Sequence, residues 1–220
     1  MRPTVLIDVG ANIGMSSLAL AHQFQSLVTV VGIEAEKENY LILDKNYNLW
    51  GDRFAQKHVI DKRQAGCRFH AKWGVASSGK GDGDDVSSFR LPYGISASGT
   101  FAPTAVVDQK NIENKRLDFS SEAVEISRCR VQINDIVDNY CSDNNGLMIV
   151  KIDIEGGEEE LMSNNVEWMS RTCFMTIEVH DRFGLPRSSV PLLKRLVEYD
   201  FAVVPDKDIL HCFNRSLLRL

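Results

Sequence analysis

The chain lacks any hydrophobic run that approaches a membrane span. Its first residues also lack the basic-then-apolar pattern of a secretion signal. Cysteine is sparse and unpatterned: Cys67, Cys129, Cys141, Cys173 and Cys212 are odd in number, scattered, and show no C-x-x-C spacing. This argues against a disulfide framework or a structural zinc site and predicts reduced, mostly buried thiols. Positive charge is in deficit. Lys and Arg number 25 against 30 Asp and Glu, for a net charge of −5. A field of that sign does not help to hold a phosphate backbone, so no nucleic-acid partner is expected. Internal repeats and linker-like shifts in composition are missing too. These absences predict one soluble, cytoplasmic domain over residues 1–220 with no transmembrane segment. Oligomeric state is not legible.

What is present is enough apolar material for one sizeable core, 44% of 220 residues. Residues 4–9 form a β-branched-rich apolar run, the pattern of a strand buried on both faces. Residues 13–24 carry apolar side chains at helical spacing. A second buried strand follows at 29–33, closed by Glu34, and a second helix at 36–49. This β-α-β-α start predicts a parallel α/β sheet. Residues 68–76 and 123–132 read as strands and 134–140 as a helix capped by Asn134. Residues 77–110 read as a loop, either a flap near a site or plain surface. Strands are predicted at 147–152 and 173–179 and helices at 157–169 and 188–199. A terminal hairpin at 201–213 turns through P-D-K-D.

The most informative stretch is D-V-G-A-N-I-G, residues 8–14. It lies where the first strand should end and the first helix begin. In open parallel sheets, ligands settle outside the carboxyl ends of the strands. Gly10 and Gly14 allow close backbone approach, and helix amides offer donors to an anion. Glu34 closes the next strand, where a carboxylate can accept both hydroxyl hydrogens of an adenosine ribose. Two features separate this turn from a nicotinamide site. It lacks the G-x-G-x-x-G spacing that admits a pyrophosphate. It also places an acid, Asp8, near the ligand's charged end, which suits an ammonium or sulfonium rather than a diphosphate. S-adenosylmethionine has the ribose, the cation and a carboxylate for backbone amides. The reading that Asp8 merely caps the turn is compatible with this.

Two further segments, L-M-I-V-K-I-D-I-E-G-G-E-E-E-L-M (147–162) and M-T-I-E-V-H (175–180), complete a pattern. Together with Asp8, Gly10, Asn12, Gly14 and Glu34, they resemble FkbM-type methyltransferases over roughly residues 5–204. The resemblance implies the class I methyltransferase fold: a Rossmann-like, seven-stranded, mostly parallel sheet with helices on both faces and the last strand antiparallel. It implies S-adenosyl-L-methionine as cofactor, with Asp8, Gly10, Ala11, Asn12, Gly14, Ser17, Glu34 and Asp153 around it. The acceptor it implies is a hydroxyl of a small molecule, sugar or lipid-linked glycan. It further implies that residues 65–78 help to enclose the adenine. Many relatives carry a long N-terminal extension, so either such a segment is missing here or the cleft is more open.

Methyl transfer to a hydroxyl needs alignment, exclusion of water and a proton acceptor. His180, Asp153 and Glu155 are the catalytic candidates, with His180 first because its ordinary pKa lies near neutrality. A second mechanism uses Asp153, Glu155, Glu178 and His180 to hold a divalent metal. No tight ligand motif accompanies them, so a metal-free site is expected. Glu159 and Glu160 read as acids favoured by a helix dipole, Glu158 as either that or a working residue, and Lys151 as a partner for a carboxylate. N-methylation of a small amine, a nicotinamide oxidoreductase and a non-catalytic binding module remain as alternatives.

Overall fold

The structure is a computed structural model. It describes residues 2–57, 66–78, 87–91, 106–107, 124–128, 130–141, 146–154, 157–180 and 189–219. Seven strands build the main sheet: β1 (Pro3–Val9), β2 (Thr29–Glu34), β3 (Arg68–Trp73), β4 (Leu147–Ile152), β5 (Thr172–Glu178), β6 (Phe201–Asp206) and β7 (Ile209–Asn214). Their order is β6-β7-β5-β4-β1-β2-β3. Strands β1 to β5 are mutually parallel, and β7 runs antiparallel to both neighbours. The P-D-K-D hairpin forces that reversal, with Lys207 at φ 56° in its turn. This is the class I methyltransferase sheet that the resemblance implied.

The central strands are buried on both faces, and their two-residue period sorts side chains between two cores. Val5, Ile7 and Val9 of β1, Val31 and Ile33 of β2, and Met148, Val150 and Ile152 of β4 enter one core. Helices α3 (Ile133–Tyr140), α4 (Glu158–Leu161) and α5 (Ser189–Glu198) contribute to the same core. Leu6, Val30 and Ile149 enter the opposite core, packed by α1 (Met15–Gln23) and α2 (Lys37–Lys57). Asp8 and Lys151 share the parity of Leu6 and Ile149, so both point toward this second face, and they are register partners on adjacent strands. Tyr47 of α2 lies over the glycine paired with Asp8. A Cβ on that residue, Gly32, would stand 2.4 Å from the Tyr47 hydroxyl oxygen.

Some elements depart from the sequence expectation. The single helix expected at 157–169 is broken into α4 and a 3-10 turn at Glu167–Arg171. The run Ser163-Asn164-Asn165 explains the break. Ser163 donates to the Glu160 carbonyl at 2.8 Å, and Asn165 adopts φ 49°. Asn134 is not a cap, because α3 begins one residue earlier. Its amide donates to the Asn165 carbonyl and to Glu167 at 3.1 and 2.8 Å, and its Oδ1 accepts from Trp168 N at 3.1 Å. The strand expected at 123–132 is two, Val124–Arg128 and Arg130–Val131, which belong to different small sheets. Within the segment read as loop, Ser87–Leu91 and Val106–Val107 are strands, paired antiparallel to each other. Ser87–Leu91 also pairs antiparallel with Val124–Arg128. The remainder of residues 79–110 and Cys129 lie outside the described residues. Cys67, Cys141, Cys173 and Cys212 are free and buried, and burial pushes the Cys67 and Cys212 thiols up to about 12.

His70 of β3 packs its ring 4.6 Å from that of Tyr140 and has a buried Nε2. Burial, then the charges of Arg68 and Lys72, hold its pKa below the ordinary histidine value. The fold therefore prefers the neutral ring. Its contribution is complete above about pH 6.5 and is lost as pH falls and the unfolded chain takes up the proton. His70→Phe is expected to flatten the fall in urea midpoint between neutral and mildly acidic pH.

Candidate active site

The turn after β1 is shaped by protein contacts as much as by any ligand. Gly10 has φ 76°, and a Cβ there would lie 1.8 Å from the Asp153 carbonyl oxygen. Gly14 has φ 88°, and a Cβ there would meet Leu43 and Tyr47, each at 2.8 Å. The close approaches that these glycines permit are thus to the end of β4 and to α2. The amides of Gly10 and Ala11 both donate to the Ile33 carbonyl at 3.0 Å, which ties the turn to the end of β2. Asn12 is exposed at φ 51°, and Ser17 is buried on α1.

Glu34 sits at the end of β2, 7% exposed. Its Oε2 accepts from the Asn12 amide at 2.8 Å and its Oε1 from the Glu36 amide at 2.7 Å. These bonds aim the carboxylate at the turn. Nearby, Trp73 donates from its indole to the Ala35 carbonyl at 3.3 Å and stacks on Tyr40.

Asp8 is completely buried. An uncompensated carboxylate there would cost several kcal/mol. Its charge is answered from within: Ser16 and Ser17 donate to Oδ2 at 3.0 and 2.5 Å, and Lys151 Nζ lies 3.4 Å from Oδ1. Since Ser17 gives its one hydrogen to Asp8, Tyr47 is the donor in the 2.5 Å contact between their hydroxyls. Burial, reinforced by Asp8, raises the Tyr47 pKa and keeps it a donor. The cation beside Asp8 is therefore Lys151. In this structure it is not a ligand's positive end, as the sequence reading expects, that answers Asp8; the Asp153 side chain, in contrast to the fully buried Asp8, is 34% exposed.

Lys151 bridges the two acids, at 3.3 Å from Asp153 Oδ2. Burial opposes its charge, yet Asp8 and Asp153 together outweigh burial and hold its pKa above the ordinary lysine value. Lys151 is thus a permanent cation and not a proton acceptor, as the sequence reading of a carboxylate partner expects.

The ends of β4 and β5 lie side by side, with Ile152 paired to Ile177. Just beyond them Asp153, Glu178 and His180 converge, offering ligand atoms all within 4.8 Å of one another. His180 Nε2 is 3.6 Å from Glu178 Oε1, and its Nδ1 is 2.7 Å from Glu158 Oε1. Glu158 is completely buried at the start of α4. Sequence reasoning left Glu158 undecided. The signal that could have singled it out is its position in K-I-D-I-E-G-G-E, residues 151–158, two glycines past the strand-end acids. Glu160 lies in the first turn of α4, as the helix-dipole reading expects, and has a second task. It accepts from the Ser77 hydroxyl at 2.9 Å and from the Ser78 amide and hydroxyl, each at 3.2 Å. Glu155 lies outside the described residues.

With this sheet and rim in place, the chain is a class I methyltransferase fold, and comparison with known proteins names the family. The model of the FkbM methyltransferase domain matches residues 8–201. The chain belongs to that family. Among solved structures, it is similar to methyltransferase FkbM from Methylobacillus flagellatus KT, with 16% identity and a TM-score of 0.55 over 96% of this chain and 44% of that one. The chain thus spans less than half the length of that protein. Weaker likenesses, each over 96% of this chain, are to M. capricolum TrmK in complex with S-adenosylhomocysteine and to a precorrin-6y C5,15-methyltransferase from Geobacter metallireducens GS-15. The first has 7% identity, a TM-score of 0.38 and 61% of that chain; the second has 9%, 0.38 and 79%. No curated protein matches the sequence. No helix among the described residues is long and apolar enough to cross a membrane.

Proposed function

We propose that the chain binds S-adenosyl-L-methionine at the turn after β1 and moves its methyl group to a hydroxyl oxygen of a small molecule, sugar or lipid-linked glycan. The observation that carries this reading is the placement of two different chemistries on one sheet rim. An amide-held Glu34 stands beside the glycine turn, and an acid-histidine cluster stands at the next strand ends, with β1 between them.

The cofactor supplies an activated methyl carbon. Glu34 accepts from the ribose hydroxyls. Gly10, Ala11, Asn12 and Gly14 form the turn against the cofactor, and Asp8 and Ser17 hold that turn and Lys151 in place. Asp153, held by Lys151, orients cofactor and acceptor. The acceptor hydroxyl gives up its proton at the rim, and Glu155, a catalytic candidate from the sequence, is proposed to assist. Because a carboxylate only accepts, Nδ1 of His180 carries the hydrogen in its bond to Glu158, and Nε2 is the nitrogen turned to the cleft. The new bond is oxygen to carbon, the broken one carbon to sulfur.

Glu34→Ala is expected to weaken S-adenosylhomocysteine binding roughly ten-fold or more, since each hydrogen bond to a charged group is worth about 1.5–3 kcal/mol. Transfer of a labelled methyl group into a cell extract, followed by isolation of the labelled product, tests the acceptor. Label in an O-methyl ether supports the reading, and label in an N-methyl amine contradicts it.

A further inference from the structure

We propose that Asp153, Glu178 and His180 bind a divalent first-row cation of the manganese or zinc type, whose open coordination positions receive the acceptor oxygen. The place of the acceptor rests on the reading above, but ion binding can be measured without it. Two geometric observations and the chemistry of the donors converge on the site.

The first is preorganisation. One donor atom from each residue lies within 4.8 Å of the other two. Donors about 2.1 Å from a common ion stand roughly 3 Å apart when cis. A contraction of under about 2 Å therefore closes the set, within the reach of side chains at a rim. Their backbones are fixed: the Asp153 amide donates to the Val9 carbonyl and the Val179 amide to the Asp208 carbonyl, each at 2.9 Å.

The second is the support behind the histidine. Glu158 is completely buried and 2.7 Å from Nδ1, which sets the tautomer and turns Nε2 toward Glu178. A carboxylate behind a histidine whose other nitrogen faces further acids is the usual outer support of a metal ligand. A histidine that served only packing would not need a fully desolvated carboxylate behind it.

The third is donor chemistry. One imidazole with two carboxylates favours manganese or zinc over calcium or magnesium, which prefer oxygen alone. With side-chain exposures of 34% for Asp153 and 38% for Glu178, one side of the site stays open to a further ligand. An ion at Nε2 occupies the lone pair that would otherwise receive the acceptor's proton. It lowers the pKa of a coordinated hydroxyl, whose proton leaves to solvent.

The test is a titration of chelator-stripped, full-length protein with manganese chloride, followed by loss of the free-ion electron paramagnetic resonance signal. Variants Asp153→Asn and Glu178→Gln run alongside, with circular dichroism to establish folding. One ion per chain is expected, bound at least ten-fold more weakly by either variant. Glu158→Gln should lose roughly 10–100-fold, as removal of an outer-shell partner does. No saturable binding, or equal binding by folded Asp153→Asn and Glu178→Gln, overturns the site. S-adenosylhomocysteine binding is measured on the same samples. Ion binding without cofactor binding upholds the ion site and overturns the cofactor reading. Cofactor binding without ion binding overturns the ion site and leaves His180 as the direct proton acceptor.

Discussion

His180→Ala is expected to slow methyl transfer by about 10²–10⁴-fold, the usual contribution of a positioned acid–base group. Both routes to the activated oxygen run through Nε2, so the loss is expected whether that nitrogen receives the proton or holds an ion. Affinity for S-adenosylhomocysteine should change little, because the cofactor turn is built from β1, β2 and α1. The variant leaves buried Glu158 without its 2.7 Å partner, and some loss of stability is expected from that alone. Single-turnover kinetics on folded protein, with cofactor affinity measured in parallel, separates the two effects. A variant with full turnover removes His180 from the mechanism.

Gly10→Ala is expected to be the most damaging small substitution in the turn. A methyl group there would stand 1.8 Å from the Asp153 carbonyl oxygen and 2.8 Å from its carbon, and both atoms are backbone. Left-handed strain adds about 1–3 kcal/mol and overpacking about as much again. A loss of about 4 kcal/mol is a large part of the roughly 5–15 kcal/mol that holds a domain together. Asp153 has to move, so cofactor affinity should fall with stability. Gly51→Ala is the control. It lies within α2 with nothing inside 4 Å of the added carbon, and a gain of about 0.5–1 kcal/mol is expected there. Urea unfolding of the two variants checks both signs. Equal stability in Gly10→Ala and the parent would contradict the packing described for the turn.

Much of this architecture was legible because the central strands are buried on both faces. Apolar runs such as V-L-I-D-V and L-M-I-V-K-I can hardly be anything else, and a charge inside such a run must be explained. That made Asp8 and Lys151 visible as special residues. Their actual relation was not visible, because register is set by pairing between distant strands: Asp8 meets Lys151 only because β1 lies beside β4. The same limit hid Glu158. Its burial and its contact with His180 depend on where α4 begins relative to β5, which neither local periodicity nor charge pattern encodes. Asn134 shows the opposite error. Its type suits a helix cap, but tertiary bonds to Asn165, Glu167 and Trp168 claimed its side chain instead. The strands within residues 77–110 escaped notice because glycine and proline punctuate that stretch and mask the short alternation between them.

Everything proposed for this chain depends on the turn after β1 and the carboxylate of Glu34 holding an adenosyl sulfur compound. Calorimetric titration with S-adenosylhomocysteine, set against the same titration with NAD, tests it most directly. Saturable one-to-one binding of S-adenosylhomocysteine and none of NAD is expected. Binding of NAD alone, or of neither compound by folded protein, would contradict it.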